Sequence, residues 1–151
     1  MNSTLSFNQY DVIETVYKFN PTIDLESENV SPDLSLRINY FDETRQKAVL
    51  FFEIELGDEQ LKGNSFYVRA VIAGIFSIKT EDEDEDELSD DFIDHMYKKN
   101  ALAILYPYMR SLVSDLSSKG SESPIILPPI NIGALVDKKD LAIEEYSMQE
   151  S

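Results

Sequence analysis

Residues 33–41, "DLSLRINYF", alternate strictly: Leu34, Leu36, Ile38 and Tyr40 fall on one side, Ser35, Arg37 and Asn39 on the other. A two-residue period of this kind predicts a strand with one dry and one wet face. The pattern recurs at 48–57, where Leu50, Phe52, Ile54 and Leu56 oppose Glu53 and Glu55. It recurs again at 64–78, where Phe66, Val68, Ala70, Ile72, Phe76 and Ile78 oppose Tyr67, Arg69 and Ser77. The polar turns "DETRQK" and "GDEQLKGN" join these segments, and such short connections favour antiparallel neighbours. Residues 7–19 read as a fourth, less cleanly alternating strand. The turn-rich stretch "NPTIDLESENVSPD" after it has the length of a connection that crosses a sheet rather than closing a hairpin.

Beyond residue 88 the period changes. Ser89 is placed to cap a helix that opens with Asp90 and Asp91, whose charge suits the positive end of the helix dipole. Apolar residues then recur in pairs, Phe92/Ile93, Met96/Tyr97, Ile104/Leu105, Tyr108/Met109 and Leu112/Val113, then Leu116, up to Gly120. Pro107 lies inside this run, where it removes the hydrogen bond to the carbonyl of Ala103, so a kink is expected there. A second, shorter helix is expected around "GALVDKKDLAIEEYSMQ". The pattern therefore predicts an α+β fold: a four-stranded antiparallel sheet backed by a long kinked helix, plus a shorter C-terminal helix.

Composition narrows what such a fold does. At 151 residues and 42% hydrophobic, one domain spanning 1–151 is expected, with an acidic loop at 79–90 and a polar tail from about residue 146. Nine of the 29 acids lie between residues 81 and 91, leaving −7 of the net −16 to the rest of the chain. Without basic patches a phosphate backbone is a poor partner, so no nucleic acid is expected. The acidic run itself reads as a solvated, self-repelling loop. No apolar run is long enough to cross a membrane, which leaves a cytoplasmic protein with no direct membrane insertion as the expectation.

Catalytic and metal chemistry find no constellation. There is no cysteine, and His95 with Asp91 forms an i, i+4 pair that has no further histidine or cysteine to complete a transition-metal set. A calcium loop starting at Asp82 fails because Glu87 stands where the turn needs glycine and Ile93 where the bidentate glutamate belongs. No phosphate-cradling glycine loop occurs. Glu53 and Glu55, beside Arg37 and Arg69, read as a charged sheet face. No cofactor, no metal and no enzyme activity are expected.

One apolar stretch stays unexplained by the core. "SPIILPPINIGAL" (123–135) carries three prolines, six Ile or Leu residues and no charge. Prolines preset the backbone and remove donors, so the segment resists strand pairing while remaining extended and stiff.

Three segments in order, "AGIFSI" (73–78), "NALAILYPYMRSLVSDLSSKG" (100–120) and "PIILPPINIGAL" (124–135), resemble the SecB protein-export chaperone family. The family pattern has GIFxI at a strand end, N-x-L-[FY]-P-Y-x-R in the long helix and L-x-P-[VI]-N-[FI]-x-A-L in the following loop. With the preceding strands the resemblance covers residues 7–136, apart from an enlarged acidic connection. It implies an ATP-independent holdase, assembled as a homotetramer (a dimer of dimers), that binds unfolded polypeptide clients along apolar surface grooves. Carried onto this chain, the groove candidates are Ile23, Leu25 and Val30 in the crossing connection, Ile126, Leu127, Ile130 and Ile132 in the loop, and Leu135 in the helix. The connection lacks the aromatic residues usual in the family's groove.

The resemblance also implies a partner-facing sheet surface, here Arg37, Glu53, Glu55 and Arg69. Family members contact the SecA motor through acids on that face, one of them seven residues before the phenylalanine of GIFxI. This chain has Arg69 there, so the SecA hand-off is not carried over, although Glu53 and Glu55 stand available as substitutes. Protection of an antitoxin is the related alternative. Two readings of other classes are an acidic decoy of nucleic acid, which would spread acids over a surface, and a structural oligomer whose apolar loop is interface.

Overall fold

The computed structural model describes residues 3–22, 31–80, 89–120, 125–127, 131–138 and 141–147. Four strands come first: β1 (Ser3–Phe19), β2 (Asp33–Tyr40), β3 (Lys47–Gly57) and β4 (Phe66–Thr80). A continuous helical stretch follows, made of α1 (Asp90–Asp94), a π-helical segment (His95–Ala101) and α2 (Leu102–Gly120). The short helix α3 (Ile132–Asp137) and strand β5 (Ala142–Ser147) come last. The sheet order is β1-β4-β3-β2-β5. The first four strands pair antiparallel, and β5 pairs parallel to β2.

The alternation in β2, β3 and β4 places its apolar set under the helix. Leu36, Ile38, Leu50, Phe52, Ile54, Val68, Ala70, Ile72 and Phe76 are essentially inaccessible to water. β1 obeys the same rule with two interruptions. Its register against β4 slips between Phe7 and Gln9 and again between Val12 and Glu14. Each extra residue inverts the alternation, so Phe7, Tyr10, Val12, Thr15 and Tyr17 all share the helix-side face despite their uneven spacing. These bulges are why residues 7–19 lack a clean period.

The helical stretch resolves a similar conflict. Ile93, Tyr97, Ala101, Leu105, Met109 and Val113 are all buried, at 3% exposure or less, and are spaced by four throughout. At 3.6 residues per turn each four-residue step overshoots by about 40°, so five steps would carry a plain α-helix about 200° off its face. The wider turn at His95–Ala101 takes up part of that drift, keeping Ile93 and Tyr97 on the face that Leu105 and Met109 use. Ser89 caps α1 as its sequence position predicts, with its hydroxyl accepting from the Phe92 amide at 3.1 Å. Pro107 stands inside α2. Both it and Ala103 are exposed, so the carbonyl left without a helical donor lies on the solvent side.

Two expectations are corrected. The sheet has five strands rather than four, and the C-terminal helix is only six residues long. Residues 142–147, expected to continue that helix and begin the tail, form β5. Backbone pairing to the open edge of β2 outcompetes a helix whose second half, "EEYS", has little apolar surface to bury. Of the expected acidic loop, Lys79 and Thr80 end β4 and Ser89 and Asp90 begin the helix, while 81–88 lie outside the described residues.

Candidate functional site

The three motif segments meet. Gly74 is where α2 presses on β4: a Cβ there would come within 2.9 Å of Leu105 Cδ2 and 2.7 Å of Phe76 Cε1, closer than real contacts allow. Phe76 stacks on Phe7 with ring centroids 5.0 Å apart, and Tyr108 of α2 stacks on Tyr10 at 4.6 Å. Arg110, the arginine of the helix motif, donates from Nε to the carbonyl of Leu127 at 3.0 Å. Two turns further on, the buried Ser117 hydroxyl accepts from the Ile125 amide at 2.7 Å and donates to the Val113 carbonyl at 2.9 Å. Two polar side chains of α2 thus satisfy the backbone on both sides of Ile126, doing for this proline-flanked loop what strand pairing does elsewhere. Asn131 then caps α3, its side chain accepting from the Ala134 amide at 3.0 Å.

This anchoring separates the loop candidates. Leu127 is 3% exposed and Ile132 is 7%, and both belong to the main core. Leu135 is half-buried against it. Ile126 points the other way and is 74% exposed. Ile23, Leu25, Val30 and Ile130 lie outside the described residues. An isoleucine this exposed, held by fixed backbone neighbours, presents apolar surface to whatever approaches the loop.

On the opposite face of the sheet Arg69 sits between two carboxylates, paired with Glu14 of β1 and, at 3.0 Å, with Glu53 of β3. Arg37 lies over the Phe51 ring, 4.3 Å from its centroid. Glu55 accepts a hydrogen bond from the Tyr67 hydroxyl at 2.5 Å. Burial pushes the Glu53 carboxyl up from the usual glutamate range, the neighbouring Glu55 adds to this, and Arg37 opposes it. The four residues expected on this face are therefore together, and Arg69 is neutralised in place rather than offering a free positive charge. Glu14 completes the cluster. The irregular phase of β1 concealed it.

A second group was not visible in the sequence. Tyr97, fully buried, donates to the carbonyl of Arg45 at 2.8 Å, and Arg45 takes a left-handed backbone conformation in the β2–β3 turn. The Arg45 guanidinium pairs with Asp90 and Asp94 of α1, tying the helix start to the β2–β3 turn. Beside them Lys98 bridges Asp94 at 3.4 Å and Glu145 of β5 at 3.2 Å, and Tyr40 donates to Glu145 at 2.5 Å. Burial opposes ionisation of Glu145, yet the Tyr40 hydroxyl and the Lys98 ammonium outweigh it and hold the carboxyl below the usual range. Lys99 reaches Asp137 of α3 at 2.8 Å.

His95 and Asp91 are both exposed. Among the described residues no group of three or more His, Cys, Asp or Glu side chains is placed to hold a metal ion. Among them, too, no helix is long and apolar enough to cross a membrane.

The architecture defines an α+β fold in which one long helix covers a single face of an otherwise antiparallel sheet and pins an apolar loop at its rim. The chain belongs to the SecB family, described as preprotein translocase subunit SecB, which matches residues 5–142. It is similar to an uncharacterised protein of Methanocaldococcus jannaschii, 26% identical over 151 residues, covering 97% of this chain and 92% of that one. The protein-export proteins SecB of Rickettsia akari and Saccharophagus degradans are 26% identical over 111 residues and 28% over 109. Both alignments cover 71% of this chain, and they span 66% and 59% of those relatives' length. Among solved structures, the SecB-like chaperone Rv1957 of Mycobacterium tuberculosis, in complex with a ChAD peptide from the Rv1956 HigA1 antitoxin, superposes with a TM-score of 0.61. That match has 14% identity and covers 83% of this chain and 90% of the other, a likeness of fold.

Proposed function

We propose that this protein is an ATP-independent holdase that binds unfolded or non-native polypeptides through apolar surface and keeps them soluble for export or delivery. The observation that carries the reading is Ile126, a large apolar side chain 74% exposed on a loop whose flanking backbone is fixed by Arg110 and Ser117. An unfolded client offers apolar side chains without a fixed shape, so a rigid apolar rim suits it better than a closed pocket. Membership of the SecB family supports the same reading. The net charge of −16 would keep a loaded complex soluble and favour clients of basic character.

Assembly as a homotetramer in the cytoplasm belongs to this proposal. Val12 and Phe19 on the long edge strand β1 and Tyr108 on α2 are each more than two-fifths exposed, apolar area that a second copy would remove from water. Native mass at micromolar concentration tests the assembly, and a monomer would count against it. Chaperoning of an antitoxin is the second reading, favoured by the antitoxin peptide bound to the M. tuberculosis protein of the same fold. A SecA hand-off would have to use Glu53, Glu55 or Glu14, since Arg69 occupies the centre of the sheet face.

The deciding experiment dilutes a chemically denatured client into buffer with and without an excess of the protein and follows light scattering. Suppressed scattering is expected. Unchanged scattering from a stable oligomer would return the protein to the class of structural assemblies. Pull-down with SecA and with antitoxin C-terminal peptides then separates export from antitoxin protection.

A further inference from the structure

Strand β5 is attached to the molecule in the manner of a bound peptide. Its backbone pairs with β2 from Ser35↔Ala142 to Tyr40↔Ser147, while its side chains bury little: of the six residues only Ile143 packs against the core, and the other five are exposed. The contacts fall on alternate positions. Leu141, just before the strand, is buried at 6% exposure, Ile143 is half-buried against the core, and Glu145 meets Tyr40 and Lys98. On the other face Glu144 and Tyr146 pair only with each other among the described side-chain hydrogen bonds. What holds the segment is thus an edge ladder, two apolar anchors two residues apart and a carboxylate two residues further on.

Nothing in those contacts is peculiar to residues 141–147. Any extended chain meets the ladder with its own backbone, and side-chain pockets at alternate positions set the preference. Parallel pairing is also the less stable kind per residue. We propose that the β2 edge is a polypeptide-binding site in which β5 is an exchangeable resident, and that it accepts an extended client segment of the pattern apolar-x-apolar-x-Asp/Glu. The inference rests on the holdase reading and adds to the apolar rim around Ile126 a site with direction and sequence preference. Because α3 and β5 are joined by a few residues, the resident strand competes at an effective concentration on the order of millimolar. A free peptide therefore exchanges weakly, whereas a client already held elsewhere on the same molecule competes on equal terms.

The test uses the full chain and a fluorescein-labelled peptide with the sequence of residues 140–148, "DLAIEEYSM". The protein has no cysteine, so Ser35→Cys with Ala142→Cys, at directly paired positions, gives one possible disulfide that locks β5 in place. The reduced variant is expected to bind the peptide at least tenfold more tightly than the oxidised one. A peptide with lysine in place of the glutamate that meets Lys98 should bind the reduced variant about fivefold more weakly. Glu145→Gln, which loosens the resident strand without a crosslink, should raise affinity for the unmodified peptide several-fold, and it decides the matter if the disulfide does not form.

Equal binding in both redox states, or no change with Glu145→Gln, overturns the proposal. So does a native mass that rises by whole chains rather than by the peptide, which would make a second copy the occupant. The two readings fail separately: peptide exchange without suppression of client aggregation removes only the chaperone assignment, and suppression without exchange removes only the edge site.

Discussion

Strand β2 has a different neighbour on each side, and the two are held by different means. Against β3 it is antiparallel, and the helix-side residues of both strands, from Leu34 to Tyr40 and from Ala48 to Leu56, are all buried. Against β5 it is parallel, and of the six β5 residues only Ile143 packs against the core. The hydrogen-bond ladders are alike, but the apolar area removed from water is not. Burial contributes about 25 cal/mol per Å², so the β2–β3 side belongs to the cooperative core while the β2–β5 side sits near the low-stability end of the molecule. A backbone ladder alone says little about how firmly a strand is held.

The contrast is most sharply exposed by Phe52→Ala, which opens a cavity beneath Tyr106 on the core side and should cost about 3–5 kcal/mol in urea unfolding. A loss under 1 kcal/mol would mean that the strand–helix interface is not the stabilising core. Gly74→Val should follow at about 1–3 kcal/mol, because the added side chain meets Leu105 and Phe76 before either can withdraw. A neutral result would show α2 free to slide away from β4.

On the β5 side the expected effects are smaller and local. Glu145→Gln should cost about 1 kcal/mol or less, since the Lys98 pair is partly solvent-screened. Its signature is faster amide exchange in β5 and β2 with the β3–β4 amides unchanged. Uniform acceleration across the sheet would make β5 part of the global core. Acid should act alike. Glu145 has a lowered folded-state pKa, so its contribution is present above the ordinary glutamate value, about 4.3, and is lost as pH falls through the lower folded value. Glu53 has the opposite sign. Its carboxyl is raised by burial, so the folded state takes up a proton first and gains stability as pH falls through that raised value. Exchange measured between pH 3 and 6 should therefore loosen β5 while leaving the β3–β4 ladder protected.

Ile126→Ser should be the mildest for stability, within about 0.5 kcal/mol, because the side chain is already in water. Suppression of client aggregation should nevertheless fall. Unaltered suppression would move the client contact away from the described part of the loop.

Particular residues explain how much of this was legible beforehand. Leu36, Phe52 and Ile72 announce their strands because a one-faced sheet enforces a period of two, and the three motif segments carry both the family and the loop that holds Ile126. Within that loop the pattern could not separate Leu127 from Ile126: neighbours of similar hydropathy are told apart only once Ser117 and Arg110 fix the Ile125 amide and the Leu127 carbonyl on either side of Ile126. β1 was blurred by bulges whose positions depend on pairing with β4. The π-helical turn showed only as a four-residue spacing sustained longer than a regular helix can follow. Glu14, joining Arg69 from 55 positions away, and Glu145, joining Tyr40 from 105 away, leave no local trace.

By itself the sequence determined what depends on near neighbours: four strands, one capped long helix, the absence of cysteine chemistry, and an uncharged apolar stretch between the helices. The tertiary structure alone decided the fifth strand. "AIEEYS" has no strong preference of its own, and it becomes a strand because folding leaves the β2 edge open with Lys98 and Tyr40 beside it. An unpaired edge is a long-range product of the whole sheet, so the residues that fill it reveal their conformation only once the sheet exists.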